Sequence, residues 1–153
     1  MYSSVLWLHS LLRWAVLLAG LMAWFHAIGG QTAKRPWSAK DELWASIFTI
    51  SLDIQLLVGL VLYFGLSDIT KMGIQNLGAA MKIADVRFFT VEHVTGMVIA
   101  IALAHVGRAK IRKTTDGARR HRLALIFFGL ALVIIIASIP WPGMPVARPL
   151  LRF

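Results

Sequence analysis

The stretch that decides the fold is Ser4–Ile28, SVLWLHSLLRWAVLLAGLMAWFHAI, at the start of the chain. Its only Asp, Glu, Lys or Arg is Arg13. An α-helix rises about 1.5 Å per residue, so a helix of this length can cross the roughly 30 Å hydrocarbon core of a bilayer. The sequence therefore predicts a first transmembrane helix that ends at Gly29-Gly30.

Three further apolar segments follow, over about 43–66, 88–106 and 123–139. The last is stopped by the sequence Pro140-Trp141-Pro142. Of the whole chain, 58% is hydrophobic and 15% is charged, whereas a soluble domain carries about 25% charged residues. We therefore predict an all-α protein, in which residues 1–153 form a single integral membrane domain built as a four-transmembrane-helix bundle.

The net charge of +9 is concentrated in the connections between the apolar segments. This pattern is typical of membrane orientation and not of a nucleic-acid-binding face. More basic residues lie in the first and third connections than on the other side. The sequence thus predicts a multi-pass membrane protein with both termini outside and no nucleic-acid partner. The two basic connections contain Lys34, Arg35, Lys40, Arg108, Lys110, Arg112, Lys113, Arg119, Arg120 and Arg122, and the other side contains Lys71, Lys82, Arg87, Arg148 and Arg152.

The connection from Ser67 to Arg87 has apolar residues at helical spacing, with polar residues between them. This pattern predicts a short amphipathic helix on the outer, periplasmic-side surface. Such a helix would either roof a site that opens outward or simply connect two spans.

The chain has no cysteine. This absence excludes disulfides, a covalently attached c-type haem and cysteine-ligated iron–sulfur clusters. Any metal must be held by histidine, carboxylate or methionine.

The histidines within the apolar segments are the main candidates for chemistry, because a membrane-embedded ionisable group is costly unless it has a partner. His9 and His93 each lie about five residues into the first and third segments, which cross the membrane in the same direction. Both therefore lie roughly 8 Å below the outer ends of their helices. Facing imidazoles in a helical bundle can ligate haem iron from both sides. We predict one haem b held by His9 and His93 near the outer face.

His26 and His105, near the cytoplasmic ends of the same two helices, form a second and weaker candidate pair. At 100° per residue, His26 lies about 100° around its helix from His9, and His105 lies about 120° from His93. One helix face cannot present both histidines to the same partner. The alternative is that these imidazoles reach water, lipid headgroups or helix-end carbonyls.

Small residues share the faces of His9 and His93, and they would leave room for a porphyrin plane. They equally suit close packing of transmembrane helices. These candidate cofactor-binding residues are Gly20, Gly96 and Ala100.

Arg13 and Asp53 are charged residues within the predicted spans. Their depths differ by about 6 Å, and an ion pair between them would relieve the cost of two charges in lipid. Alternatively, Arg13 meets a haem propionate or a quinone oxygen, and Asp53 binds a ligand's imidazole or carries protons.

Four blocks of sequence carry a resemblance: LWLHSLLRW (6–14), QLLVGLVLYF (55–64), RFFTVEH (87–93) and IPWP (139–142). Together they resemble a family of small bacterial four-helix membrane proteins known as cytochrome b-like. The resemblance covers nearly the whole chain. It implies a haem-associated membrane subunit whose shared polar set is His9, Arg13, Glu92 and His93. Relatives often carry a histidine where this chain has Asp53, and that departure argues against a ligand from the second helix.

These observations predict an electron-transfer subunit with no catalytic activity of its own, working between a membrane quinone and a redox partner protein. Two alternatives stay open. One is a haem-free accessory subunit of a larger membrane complex. The other is a small proton-coupled transporter that uses Asp53 and Arg13.

Overall fold

The computed structural model describes residues 1–150, and these residues form helices and no strand. Four of the helical segments are long and apolar enough to cross a membrane. The predicted all-α architecture with four membrane-spanning helices is therefore confirmed. Arg152, counted above on the outer side, lies outside the described residues. The four candidate spans are Tyr2–Thr32, Ala39–Leu66, Ala84–Lys113 and Gly117–Ala137.

The described chain contains seven α-helices and two π-helical segments. In chain order they are α1 (Tyr2–Thr32), α2 (Ala39–Leu60) with a π-helical continuation (Val61–Leu66), α3 (Asp68–Gln75), α4 (Leu77–Ala80), α5 (Ala84–Arg87), a second π-helix (Phe88–Glu92), α6 (His93–Lys113) and α7 (Gly117–Ala137). Of these, α3 and α4 lie outside the four spans.

We call the end of the bundle with the connections 33–38 and 114–116 the loop side, and the opposite end the terminal side. On the loop side the helices extend beyond the predicted spans: α1 continues through Gly29-Gly30, and α6 continues to Lys113. The last turn of α6 is basic, and cations stabilise a helix carboxyl end. At the start of α7, the Asp116 carboxylate accepts a hydrogen bond from the backbone N–H of Arg119 at 2.9 Å, which is a typical N-cap.

The four spans form a ring in the order α2, α1, α7, α6. Neighbours pack extensively along this order, whereas α2 and α6 touch only sparsely. The core between them includes Phe48 and Phe128, whose rings meet edge to face at 5.4 Å. Leu18, Leu57 and Val133 are 61–64% exposed on the outside of the bundle. Apolar side chains on that surface are suited to lipid.

The connector between α2 and α6 is helical, as predicted, but it is divided into α3, α4 and α5 rather than forming one helix. Asn76 breaks it, with φ −146°, and its side chain then caps α4. In α3, Thr70 and Gly73 are buried while Met72 and Ile74 are exposed. Exposed apolar side chains on a short helix outside the spans are suited to the surface of a bilayer.

A buried carboxylate organises the loop side. Asp41 accepts hydrogen bonds from both terminal nitrogens of Arg35, at 2.5 and 2.7 Å. It also accepts from the backbone N–H of Ser38 at 2.8 Å and from the Ser38 hydroxyl at 2.6 Å, within a capping box at the start of α2. The hydrogen bond to Asp41 raises the pKa of Arg35 above its usual value. This network fixes the connection between α1 and α2.

Candidate functional site

A cavity of about 180 Å³ lies in the terminal half of the bundle. All four spans line it, and residues of α3 and of the segment after α7 also contribute. Most of its lining is apolar, with polar groups from several elements converging on it. Those polar residues include His9, Arg13, Gln55, Tyr63, His93 and Arg148.

The structure brings His9 and His93 together at this cavity, as the sequence predicted. Their ring centroids are 6.3 Å apart, with 73° between the ring planes. His93 Nδ1 lies 2.8 Å from the Ser138 carbonyl oxygen. Because a carbonyl only accepts, Nδ1 carries the proton and Nε2 keeps its lone pair. A backbone carbonyl that orients an imidazole in this way is the usual second partner of a metal-ligating histidine.

His9 is held from α2. The Gln55 amide nitrogen donates to the His9 carbonyl oxygen at 3.0 Å and lies 3.4 Å from His9 Nε2. A Cβ at Gly59 would lie 3.2 Å from His9 Cε1, so the glycine leaves the ring its space. His9 Nδ1 is buried and has no hydrogen-bond partner among the described residues. Leaving such a group unsatisfied costs about 1–3 kcal/mol, so this nitrogen is suited to an additional ligand.

Both π-helices lie beside the cavity, where α2 ends and α6 begins. A π-helix has backbone hydrogen bonds between residues five apart instead of four apart, and it often occurs at functional sites. Here side chains tie the two π-helices to each other and to α3. The Tyr63 hydroxyl donates to the Thr90 carbonyl at 2.9 Å, and the Thr70 hydroxyl donates to the Tyr63 carbonyl at 2.7 Å. The connector therefore helps to roof the cavity.

Tyr63→Phe is expected to lower the free energy of unfolding by about 1–2 kcal/mol, because it leaves the Thr90 carbonyl without this donor. Chemical denaturation of the purified protein in detergent measures the change. The chain offers a matched control in its other tyrosine, Tyr2, which is 41% exposed at the start of α1. Equal stability of the Tyr63→Phe and Tyr2→Phe proteins would contradict the prediction.

The segment after α7 folds back over the same cavity. Arg13 and Trp14 both donate to the Leu150 carbonyl, at 2.5 and 3.2 Å. Arg148 donates to Asp85 at 3.1 Å and lies over the Phe89 ring, 4.9 Å from its centroid. Sequence analysis missed Arg148 as a site residue, since it stands in an irregular segment with no periodicity to indicate where it faces.

The structure pairs Asp53 with His105 rather than with Arg13. Asp53 Oδ1 lies 2.7 Å from His105 Nε2, across the seam between α2 and α6, while Arg13 reaches Leu150. The predicted match of depths was insufficient because it ignored the direction in which each helix points its side chain.

The second candidate pair, His26 with His105, is also not brought together. His26 Nδ1 lies 3.5 Å from Asp41 Oδ1 on the loop side, and its ring lies 6.3 Å from that of Trp44. His26 therefore lies beside a buried carboxylate near the loop-side end of α1, a partner that the sequence did not predict.

The small residues predicted to flank a porphyrin are used for helix packing. A Cβ at Gly20 would lie 2.7 Å from both Phe48 and Leu132, and one at Gly96 would lie 2.1 Å from the Ser138 hydroxyl. Ala100 is fully buried in the core. None of these three residues lines the cavity. The glycine that lies next to His9 there is Gly59.

His121 on the loop side was not singled out by sequence analysis. It is fully buried, its ring centroid lies 5.0 Å from that of Trp37, and neither ring nitrogen has a partner among residues 1–150. It stands between a basic segment and an apolar one, a position with no local signal of burial. The close approach of α7 to Gly30 of α1 and the contact with the Trp37 ring contribute to its burial.

No protein-family model, curated protein or solved structure matches this chain. The resemblance to cytochrome b-like proteins therefore rests on the sequence blocks quoted above.

Proposed function

We propose that this protein is a b-type cytochrome-like electron-transfer subunit that binds one haem b between His9 and His93. The observation that carries the proposal is the distance of 6.3 Å between the two ring centroids. Two imidazoles that coordinate one metal ion from opposite sides, through bonds of about 2 Å, have centroids roughly 6 Å apart. α1 and α6 hold the rings near that separation in the protein's own fold.

The donor set favours a haem over a bare metal ion. Within residues 1–150, no group of three or more histidine, aspartate or glutamate side chains could hold a metal. Two imidazoles would leave a bare cation short of ligands, whereas a porphyrin supplies four nitrogens of its own to the iron. His9 Nδ1, buried without a partner among the described residues, is an unsatisfied polar atom of the kind that a bound group would satisfy.

The other residues of the site would bind and orient the group. The Ser138 carbonyl holds the His93 ring, Gln55 holds the His9 segment, and the guanidinium groups of Arg13 and Arg148 line the cavity. Arginine forms strong charge-assisted hydrogen bonds to carboxylates, such as haem propionates. When bound, the haem would supply reversible one-electron chemistry.

The surroundings of the site support a role in a membrane electron-transfer chain. Apolar helices suggest a lipid bilayer environment, and the basic loop side favours a cytoplasmic position for that end. The site would then lie near the outer face of a bacterial inner membrane, with the termini outside. There it would exchange electrons with a quinone and with a redox partner protein or larger membrane complex.

Visible absorption of the protein purified in mild detergent, after expression with added haem precursor, tests the proposal. We expect a Soret band and sharp reduced α and β bands. We expect the His9→Ala and His93→Ala proteins each to lose most of the haem absorption, because each variant lacks one of the two axial ligands. His26→Ala is the matched control, since it removes a histidine from α1 on the loop side, and it should keep the spectrum.

Gel filtration and thermal unfolding show whether each variant is folded. Added imidazole should restore part of the absorption in the His93→Ala protein, which a merely structural role of His93 would not predict. A folded, colourless wild-type protein would contradict haem binding and favour a haem-free accessory subunit.

A further inference from the structure

A hydrogen-bonded acid–base pair lies on the outside of the bundle, inside the spans. Asp53 belongs to the middle of the span Ala39–Leu66, and His105 lies on α6, two turns before its end. Their side chains are 50% and 45% exposed. Ionisable groups at this depth are costly when they face lipid, so this pair needs a cover that residues 1–150 of one chain do not provide.

The surface around the pair is otherwise apolar. On α2, Ile50 and Leu57 are 56% and 64% exposed, within one turn of Asp53 on either side. On α6, Val98 is 52% exposed, and Ala102 is exposed one turn from His105. We call this surface the α2–α6 face, defined by Ile50, Asp53, Leu57, Val98, Ala102 and His105. It lies over the seam where α2 and α6 touch only sparsely.

We propose that the α2–α6 face is the contact surface of a homodimer, covered by a second copy of this chain. A two-fold axis along the membrane normal keeps every residue of the partner at the same depth. Asp53 and His105 lie at one depth, because they are 2.7 Å apart. In such a dimer, Asp53 of each copy lies opposite His105 of the other copy. The face is therefore complementary to itself.

The side chains beside the pair are suited to that contact. Ala102 and Ala109 flank His105 on the exposed side of α6, and small residues let transmembrane helices approach closely. Polar groups that hydrogen-bond between helices add to such association in lipid. In the dimer, the Asp53–His105 pair would contact protein instead of lipid, which lowers the free-energy cost of these ionisable groups within the membrane.

Cross-linking in native membranes tests this proposal, and the absence of cysteine from the chain makes single-cysteine variants straightforward. Ala102→Cys places a thiol on the α2–α6 face. Val133→Cys, on the exposed side of α7, is the matched control. With a short bifunctional thiol reagent, we expect a product of twice the chain's mass from Ala102→Cys, at severalfold higher yield than from Val133→Cys.

The polar pair is tested by adding Asp53→Leu and His105→Leu to the Ala102→Cys protein. Each is expected to reduce the cross-linked yield severalfold, and exchange of the two residues, Asp53→His with His105→Asp, should restore it. Mass measurement of the wild-type protein in lipid nanodiscs gives a second readout that needs no variant. A monomer there, equal yields from the two cysteine positions, or a product containing a different protein would each overturn the proposal. None of these measurements depends on haem content, so failure of the dimer proposal can be distinguished from failure of the proposed function.

Discussion

Replacing Asp41 with alanine is expected to lower the free energy of unfolding by about 2–4 kcal/mol, because it removes several charge-assisted hydrogen bonds and the capping box of α2. The Asp41 side chain is 1% exposed and receives hydrogen bonds from Arg35 and from both the backbone and the hydroxyl of Ser38. Alanine removes all of these bonds and leaves the Arg35 guanidinium only partly in contact with solvent. Loss of the capping box also loosens the start of α2.

Asp116→Ala provides the control for this prediction. Asp116 is also an N-cap residue on the loop side, but it is exposed and accepts from the backbone N–H of Arg119. Its replacement should cost only about 1 kcal/mol. Denaturant titration monitored by tryptophan fluorescence measures both proteins. If the two variants are equally stable, the network around Asp41 is not the main support of the loop side.

Gly30→Ala is expected to destabilise the bundle by about 1–3 kcal/mol through overpacking. A Cβ at Gly30 would lie 2.1 Å from His121 Cε1 and 2.3 Å from Nε2, so the whole buried ring would have to move. The adjacent Gly29 is a matched control, because a Cβ there meets nothing within 4 Å. Gly29→Ala should leave stability unchanged or raise it by up to about 1 kcal/mol, owing to the helix propensity of alanine.

The double variant Gly30→Ala/His121→Ala separates a local clash from a general effect on α1. His121→Ala removes the ring atoms that the new methyl group would meet. The two changes should therefore destabilise the protein by less than the sum of their separate effects. Strict additivity, or equal destabilisation by Gly29→Ala, would contradict the contact between Gly30 and His121.

The sequence predicted the four spans because the length and apolarity of a segment are local properties. It placed the end of the first helix too early, because Gly29-Gly30 was interpreted as a terminus. Glycine is tolerated inside α1 there, since a buried imidazole occupies the space that a side chain would need. Helix boundaries of this kind depend on neighbours that no local pattern reveals.

The site was predicted in part. Depth along two similarly oriented helices was enough to match His9 with His93, because rise per residue is constant. Depth does not give the direction in which each side chain points around its helix. For that reason the sequence did not predict that Asp53 pairs with His105, or that Gly20 and Gly96 pack helices instead of facing the cavity. These outcomes depend on how each helix is rotated within the bundle.

By itself, the sequence determined that this chain crosses the membrane as four helices and that His9 and His93 lie at one depth. The tertiary structure decided which polar groups meet. It brought the Ser138 carbonyl to His93 and the Leu150 carbonyl to Arg13. It also brought Asp53 to His105 on the outside of the bundle. The physical reason is that hydrophobicity and helical rise act along one segment, whereas hydrogen bonds between segments depend on the packing of all four helices at once.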